Sequence, residues 1–282
     1  MYFRVTFEQA DHVFMRLLIK YALTTIITAA SFIHASAQAG RTCDKNSPSI
    51  QIVEKGMALA LKTAQALDAD YATRGTRVVV IARAGQDLGK YGLRYSHLGF
   101  GYRTTEGKWL VAHKLNTCST ADASLYRHGL GEFFMDDLFR YEGAWIVPNT
   151  NVQEKLLKLL LDKNQVTKMN ARPYNMVSYA WGTKYQQSNQ WVLETIAAAM
   201  DDNIQTREQA QSWIKQNGYV PTTLIIGPLT RLGGRIGSAN IAFDDHPNDK
   251  RFSDQIQTVT VDSMFAWMPR VGLSGKAVAV FN

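Results

Sequence analysis

His97 stands in the run Tyr95-Ser96-His97-Leu98-Gly99-Phe100, and His113 follows Trp109-Leu110-Val111-Ala112. Both are polar residues set into strand-like surroundings. An imidazole placed this way can act as a general base, and a second one beside it can hold the first ring in place, as the third member of a triad does. Gly99 leaves the surface next to His97 open to another group. The competing reading is a pair of hydrogen-bonded strand histidines without catalytic work. Ser188 opens the run Ser188-Asn189-Gln190-Trp191-Val192-Leu193-Glu194. A hydroxyl at a helix N-terminus is helped as a nucleophile by the dipole and by free N–H groups that can bind an oxyanion. Serine is equally one of the commonest N-cap residues. Asp244-Asp245-His246-Pro247, with Asp249 and His128, supplies metal-ligand types. No H-E-x-x-H or comparable spacing accompanies them, and Asp-Asp-His-Pro is a natural turn. No metal and no cofactor is expected from this set.

These residues need elements to position them. Ile50, Val53, Met57, Leu61, Ala64 and Leu67 recur at three- and four-residue spacing, which predicts a helix over Ser49 to Ala69. Val78-Val79-Val80-Ile81-Ala82 is a short β-branched run and predicts a buried strand over Arg77 to Arg83. Ser96 to Arg103 and Trp109 to Leu115, separated by Thr104-Thr105-Glu106-Gly107, read as a hairpin. Further turns and a strand are expected over Leu125 to Phe134 and Tyr141 to Val147. Helices are expected over Val152 to Leu161, Ser188 to Met200 and Arg207 to Gln216. The remaining chain looks strand-like at Thr222 to Ile226, Gly237 to Phe243 and Gln257 to Phe265. Gly233-Gly234-Arg235 reads as a loop, and no P-loop lysine follows it.

The 282 residues are 46% hydrophobic and 20% charged, which fits a folded chain and excludes a disordered one. The net charge is +7, yet no run of five Lys/Arg and no nucleic-acid motif occurs, so no nucleic-acid partner is expected. Met15-Arg16-Leu17-Leu18-Ile19-Lys20 is a basic n-region, Tyr21 to Ile33 an apolar stretch, and Ala35-Ser36-Ala37 a small-x-small cleavage site. Residues 1–37 therefore read as a signal peptide with Met15 as the natural start, and 38–282 as a single domain. The apolar stretch is shorter than the ~20 residues a span needs, so no permanent membrane span is expected after cleavage. Export, to the periplasm or beyond, places Cys43 and Cys118 in an oxidising space, where two cysteines most often pair.

The order of parts resembles the circularly permuted branch of the papain-like superfamily, which holds cell-wall endopeptidases and amidases and enzymes of the lecithin retinol acyltransferase type. The segments that carry this are the His97 strand, the His113 strand, Trp145-Ile146-Val147-Pro148, Pro173-Tyr174-Asn175 and the helix opening at Gln187-Ser188-Asn189-Gln190-Trp191. The resemblance implies an α+β fold with an antiparallel sheet packed against helices, His97 as base, His113 as its orienting residue and Ser188 as nucleophile. It implies a hydrolase or acyl-transfer enzyme acting on an amide or ester of the envelope, with peptidoglycan or lipid as partner. The superfamily has cysteine where this chain has Ser188, and a serine needs a stronger base. Two alternatives follow: an inactive envelope-binding module on the same fold, or Cys118 as a displaced nucleophile if it is unpaired. A metal-dependent hydrolase on His246 with Asp244 or Asp245 is a third. The whole chain beyond the leader also resembles an uncharacterised exported proteobacterial family through Tyr95-Ser96-His97-Leu98-Gly99, Ser188-Asn189-Gln190-Trp191-Val192 and Asn240-Ile241-Ala242-Phe243-Asp244-Asp245-His246-Pro247.

Overall fold

Val78 to Ala84 form strand β1, and its alternate side chains part into two cores. Val78, Val80, Ala82 and Ala84 enter one cluster, while Val79 and Ile81 enter the other. A strand covered on both faces reads as a continuous apolar run for this reason. The computed structural model describes residues 48–135 and 138–282, and all of them fall in one compact unit.

Helix α1 spans Ile50–Arg74, capped by the Ser49 side chain and ended by Gly75 at φ 72°. Strands β2 (His97–Arg103) and β3 (Trp109–Asn116) form the expected antiparallel hairpin. Then come β4 (Ala123–Gly129), the short helix α2 (Leu130–Phe134) and β5 (Arg140–Ile146). Helices α3 (Thr150–Leu161), α4 (Lys163–Thr167), α5 (Ser188–Met200) and α6 (Arg207–Gln216) follow. The C-terminal part holds β6 (Thr222–Ile225), α7 (Pro228–Gly237), α8 (Asn248–Phe252), β7 (Gln255–Thr258), α9 (Val261–Arg270) and β8 (Val278–Phe281).

The main sheet has the order β4-β3-β2-β1-β5-β8 with every pair antiparallel, and β6 and β7 form a separate ribbon. The fold is therefore α+β, an antiparallel sheet between helices. One face packs on α5, α3 and α9 through Leu98, Phe100, Trp191, Ile196 and Met264. The other packs on α1 and α2 through Leu59, Leu67, Val111, Phe133 and Phe134. Each large apolar side chain taken fully from water contributes roughly 1.5–3 kcal/mol.

Four local expectations are corrected. Gly237 to Phe243 is not a strand, and Gly233-Gly234-Arg235 is not a loop: α7 runs to Gly237 and the chain after it is irregular. Gln257 to Phe265 is a strand only as far as Thr258, because Thr260 caps α9 by accepting from the Ser263 N–H. The segment over Leu125 to Phe134 divides into a strand and a helix. The signal-peptide reading and Cys43 lie outside the described residues. Among the described residues no helix is long and apolar enough to cross a membrane.

Candidate functional site

The hairpin brings His97 and His113 together. His97 Nε2 lies 2.9 Å from His113 Nδ1, and His113 Nε2 lies 3.1 Å from His128 Nδ1. The result is a chain of three imidazoles. Gly99 explains why it fits: a Cβ there would sit 3.0 Å from His113 Cβ and 2.7 Å from Val111 Cγ1. The open surface beside His97 is thus taken by the neighbouring strand and by His113 itself. A neutral His113 has one donor and one acceptor, so its two bonds fix a single direction of donation along the chain.

These rings belong to the α1/α2 face. His97 and His113 both pack on Phe133, at centroid distances of 6.0 and 5.3 Å. Arg83, paired across the sheet with His97, donates to the Phe133 carbonyl and lies over its ring. Burial, then the Arg83 guanidinium and the neighbouring imidazole, holds His97 well below the ordinary histidine range. The same causes take His113 down to about 2. Both are neutral at any physiological pH, so neither holds a proton in reserve.

Ser188 stands elsewhere. Leu98 and Phe100, the neighbours of His97 and Gly99 along β2, point to the opposite face and pack with Trp191 of α5. The first residues of α5 meet the sheet there. Asn189 Oδ1 accepts from the Leu98 N–H at 2.9 Å, and the Ser188 hydroxyl donates to the Lys114 carbonyl at 2.7 Å. Ser188 is buried, and the Tyr174 phenol is its other polar neighbour. Sequence order brought His97, His113 and Ser188 into one constellation; the pleat separates them, because residues one apart on a strand face opposite ways. No imidazole among the described residues bonds to Ser188. It is also the first residue of α5, with Gln187 as the cap.

The polar centre of that face involves residues the sequence reading passed over. Lys114 is fully buried, and its ammonium donates to Asn170 Oδ1 at 2.9 Å, Gln186 Oε1 at 2.8 Å and the Ala171 carbonyl. Gln186 then donates to Glu194 at 2.6 Å. Glu194 is closed off by Arg207 at 2.7 and 3.1 Å and by Gln211 at 2.7 Å. Arg207 gives its remaining donors to the carbonyls of Gly182, Thr183 and Tyr185. Burial, with Arg207 nearby, lowers Lys114 to about 7, and Glu194 opposes this. Burial raises Glu194 against the pull of Arg207. The signal in the sequence was the single charge in each apolar run: Lys114 after Val111-Ala112-His113, and Glu194 within Trp191 to Ala199. A charge that deep requires partners, and every one here has them.

Asp245 and His246 form a third cluster. His246 Nδ1 lies 3.0 Å from Asp245 Oδ1, and Asp245 Oδ2 accepts from the Tyr179 N–H at 2.8 Å. Asp244 turns outward to Lys184 at 2.6 Å. The Asn175 side chain bridges to Ala242, donating to its carbonyl and accepting from its N–H. The motif therefore clamps the irregular segment after α7 against the segment that leads into α5. His128, considered with it as a ligand, is bonded to His113 instead. Among the described residues no group of three or more His, Cys, Asp or Glu is arranged to hold a metal ion, and none contains a free cysteine. Cys118 thus does not stand as a displaced nucleophile.

The architecture defines an α+β protein whose chemistry-bearing residues are built into two buried polar networks on opposite faces of one sheet and a third cluster at Asp245 and His246. The family model described as an uncharacterised protein conserved in bacteria (DUF2145) matches residues 70–268, and the chain belongs to that family. No curated protein and no solved structure matches the chain. Nothing in these comparisons ties it to the papain-like superfamily.

Proposed function

We propose that the protein is an exported binding or assembly module of the cell envelope, on a scaffold of permuted papain-like type, and that it does not transfer acyl groups through Ser188. One observation carries this reading: the Ser188 hydroxyl donates a hydrogen bond to the Lys114 carbonyl on one face, while His97 is bonded to His113 on the other. A serine nucleophile needs a base within hydrogen-bond reach, about 2.6–3.2 Å. A carbonyl is an acceptor but no base, and it fixes the hydroxyl in a resting bond. The networks around Lys114, Glu194 and Arg207 support the same reading, since they make a rigid scaffold in which each charge is used for cohesion. The basic balance of the chain suits an anionic envelope polymer or surface.

The test uses the exported protein with a fluorophosphonate probe, which labels activated serines, and with isolated peptidoglycan sacculi. The expected result is no labelling of Ser188 and retention on sacculi that falls as salt rises. Labelling that disappears in Ser188→Ala would overturn the reading in favour of a serine enzyme.

A further inference from the structure

Helix α7 is turned the wrong way round for a soluble helix. Its apolar residues Leu229, Leu232 and Ile236 recur at three- and four-residue spacing and share one side. That side faces solvent, with exposures of 84, 56 and 80%. Of its two arginines, Arg231 faces inward instead, pairing with Asp254 at 2.5 Å and donating to the Arg251 carbonyl. On the inner side Gly234 lies against Ile241. None of the ten residues is buried.

Such a helix has little to hold it within the chain. Its interior contains Gly233 and Gly234, each worse than alanine by roughly 1 kcal/mol there. Helices this short are marginal without an amphipathic face packed on something. Here the face exists and nothing in the described chain covers it. The surroundings indicate what does. Phe252, 75% exposed, ends the α8 segment whose Arg251 carbonyl accepts from Arg231. Ile225, 68% exposed, ends β6 three residues before α7. A cleft of about 400 Å³ at the foot of the helix is lined by Lys90, Tyr91, Ile225, Gly227 and Thr230. The helix has Arg231 and Arg235 and no acidic residue, and the chain as a whole is +7.

We propose that α7 is a docking element for an anionic membrane surface. It lies in the interface plane with Leu229, Leu232 and Ile236 among the acyl chains and Arg235, at the edge of the stripe, at the level of the phosphates. Amphipathic helices bind membranes by this combination of apolar area and attraction to anionic lipid. The exposed stripe supplies the first part, and Arg235 with the basic balance of the chain supplies the second. The inference rests on the envelope-module reading and adds the partner: a lipid surface, engaged by the edge of the molecule that carries β6 and α7.

The experiment is flotation of the full chain with vesicles of phosphatidylcholine alone and with vesicles containing about a third phosphatidylglycerol, alongside sedimentation velocity without vesicles. The protein is expected to float with anionic vesicles, to float less as salt shortens the Debye length, and to be left behind by neutral ones. L229S/I236S is expected to lose at least tenfold in binding, and Arg235→Glu severalfold. Each substituted residue is exposed, and an unchanged thermal midpoint confirms the variants fold. Three results would overturn the proposal: no flotation, equal flotation with both vesicle types, or self-association that L229S/I236S abolishes, which would make the stripe a contact between copies. Probe labelling of Ser188 would refute the module reading and leave vesicle binding untouched. Retention on sacculi without flotation would refute only the membrane proposal.

Discussion

Acid should unfold this protein through His113. Burial takes that imidazole from an ordinary 6.5 to about 2, so it stays neutral in the folded chain and becomes charged once unfolded. Below pH 6.5 the unfolded state therefore binds one more proton than the folded state, and stability falls as pH falls. The slope for one fully shifted histidine is about 1.4 kcal/mol per pH unit. Because the unfolded imidazole is half protonated at pH 6.5, His113 alone removes about 2.3 kcal/mol between pH 6.5 and 4.5. His97, lowered by the same causes, adds in the same direction. Against a typical total of about 5–15 kcal/mol that is a large share. Glu194 works the other way, since its raised value favours proton uptake by the folded state. A variant comparison isolates the histidine from it. The assay is urea unfolding of wild type and His113→Gln at pH 7.0, 6.5, 5.5 and 4.5. Glutamine keeps a donor and an acceptor but takes no proton in either state. The variant is expected to lose stability at pH 7.0 and to lose about 2.3 kcal/mol less than wild type between pH 6.5 and 4.5. Equal slopes for the two proteins would refute the account of His113 as a buried neutral ring.

Gly99→Ala forces a methyl to within 2.7 Å of Val111 Cγ1 and 3.0 Å of the Ala112 carbonyl; it should destabilise by about 1–3 kcal/mol, read as a drop in the urea midpoint. Arg207→Ala leaves the Glu194 carboxylate buried without its cation, and a loss of about 3–5 kcal/mol is expected by thermal or urea unfolding. Ser188→Ala removes one hydrogen bond to the Lys114 carbonyl and should cost about 1 kcal/mol; a complete loss of sacculus retention with an intact fold would assign Ser188 to the binding surface instead.

Much of the frame was legible in the residues. The helical spacing from Ile50 to Leu67, the β-branched run at Val78, the hairpin about Gly107 and the helices at Ser188 and Arg207 all appear where local pattern placed them. The errors cluster after Pro228. There the apolar residues Leu229, Leu232 and Ile236 lie among three glycines, and local composition argues for loop or strand while the backbone forms a helix. Phe265 likewise belongs to a helix, because a capping residue, Thr260, outweighs the β-leaning residues before it.

The sequence by itself determined which residues are polar in apolar settings, the pairing of the His97 and His113 strands, and the glycine that lets them approach. It determined nothing about which face each side chain occupies relative to α5, because a strand presents both faces with a period of two and only the packed helices give those faces an identity. The tertiary structure alone decided that His97 and Ser188 lie on opposite faces, that Lys114 reaches Glu194 through Gln186, and that the apolar side of α7 is left outward. These are contacts between residues tens of positions apart, set by the competition among whole surfaces for burial, and no local spacing records the outcome.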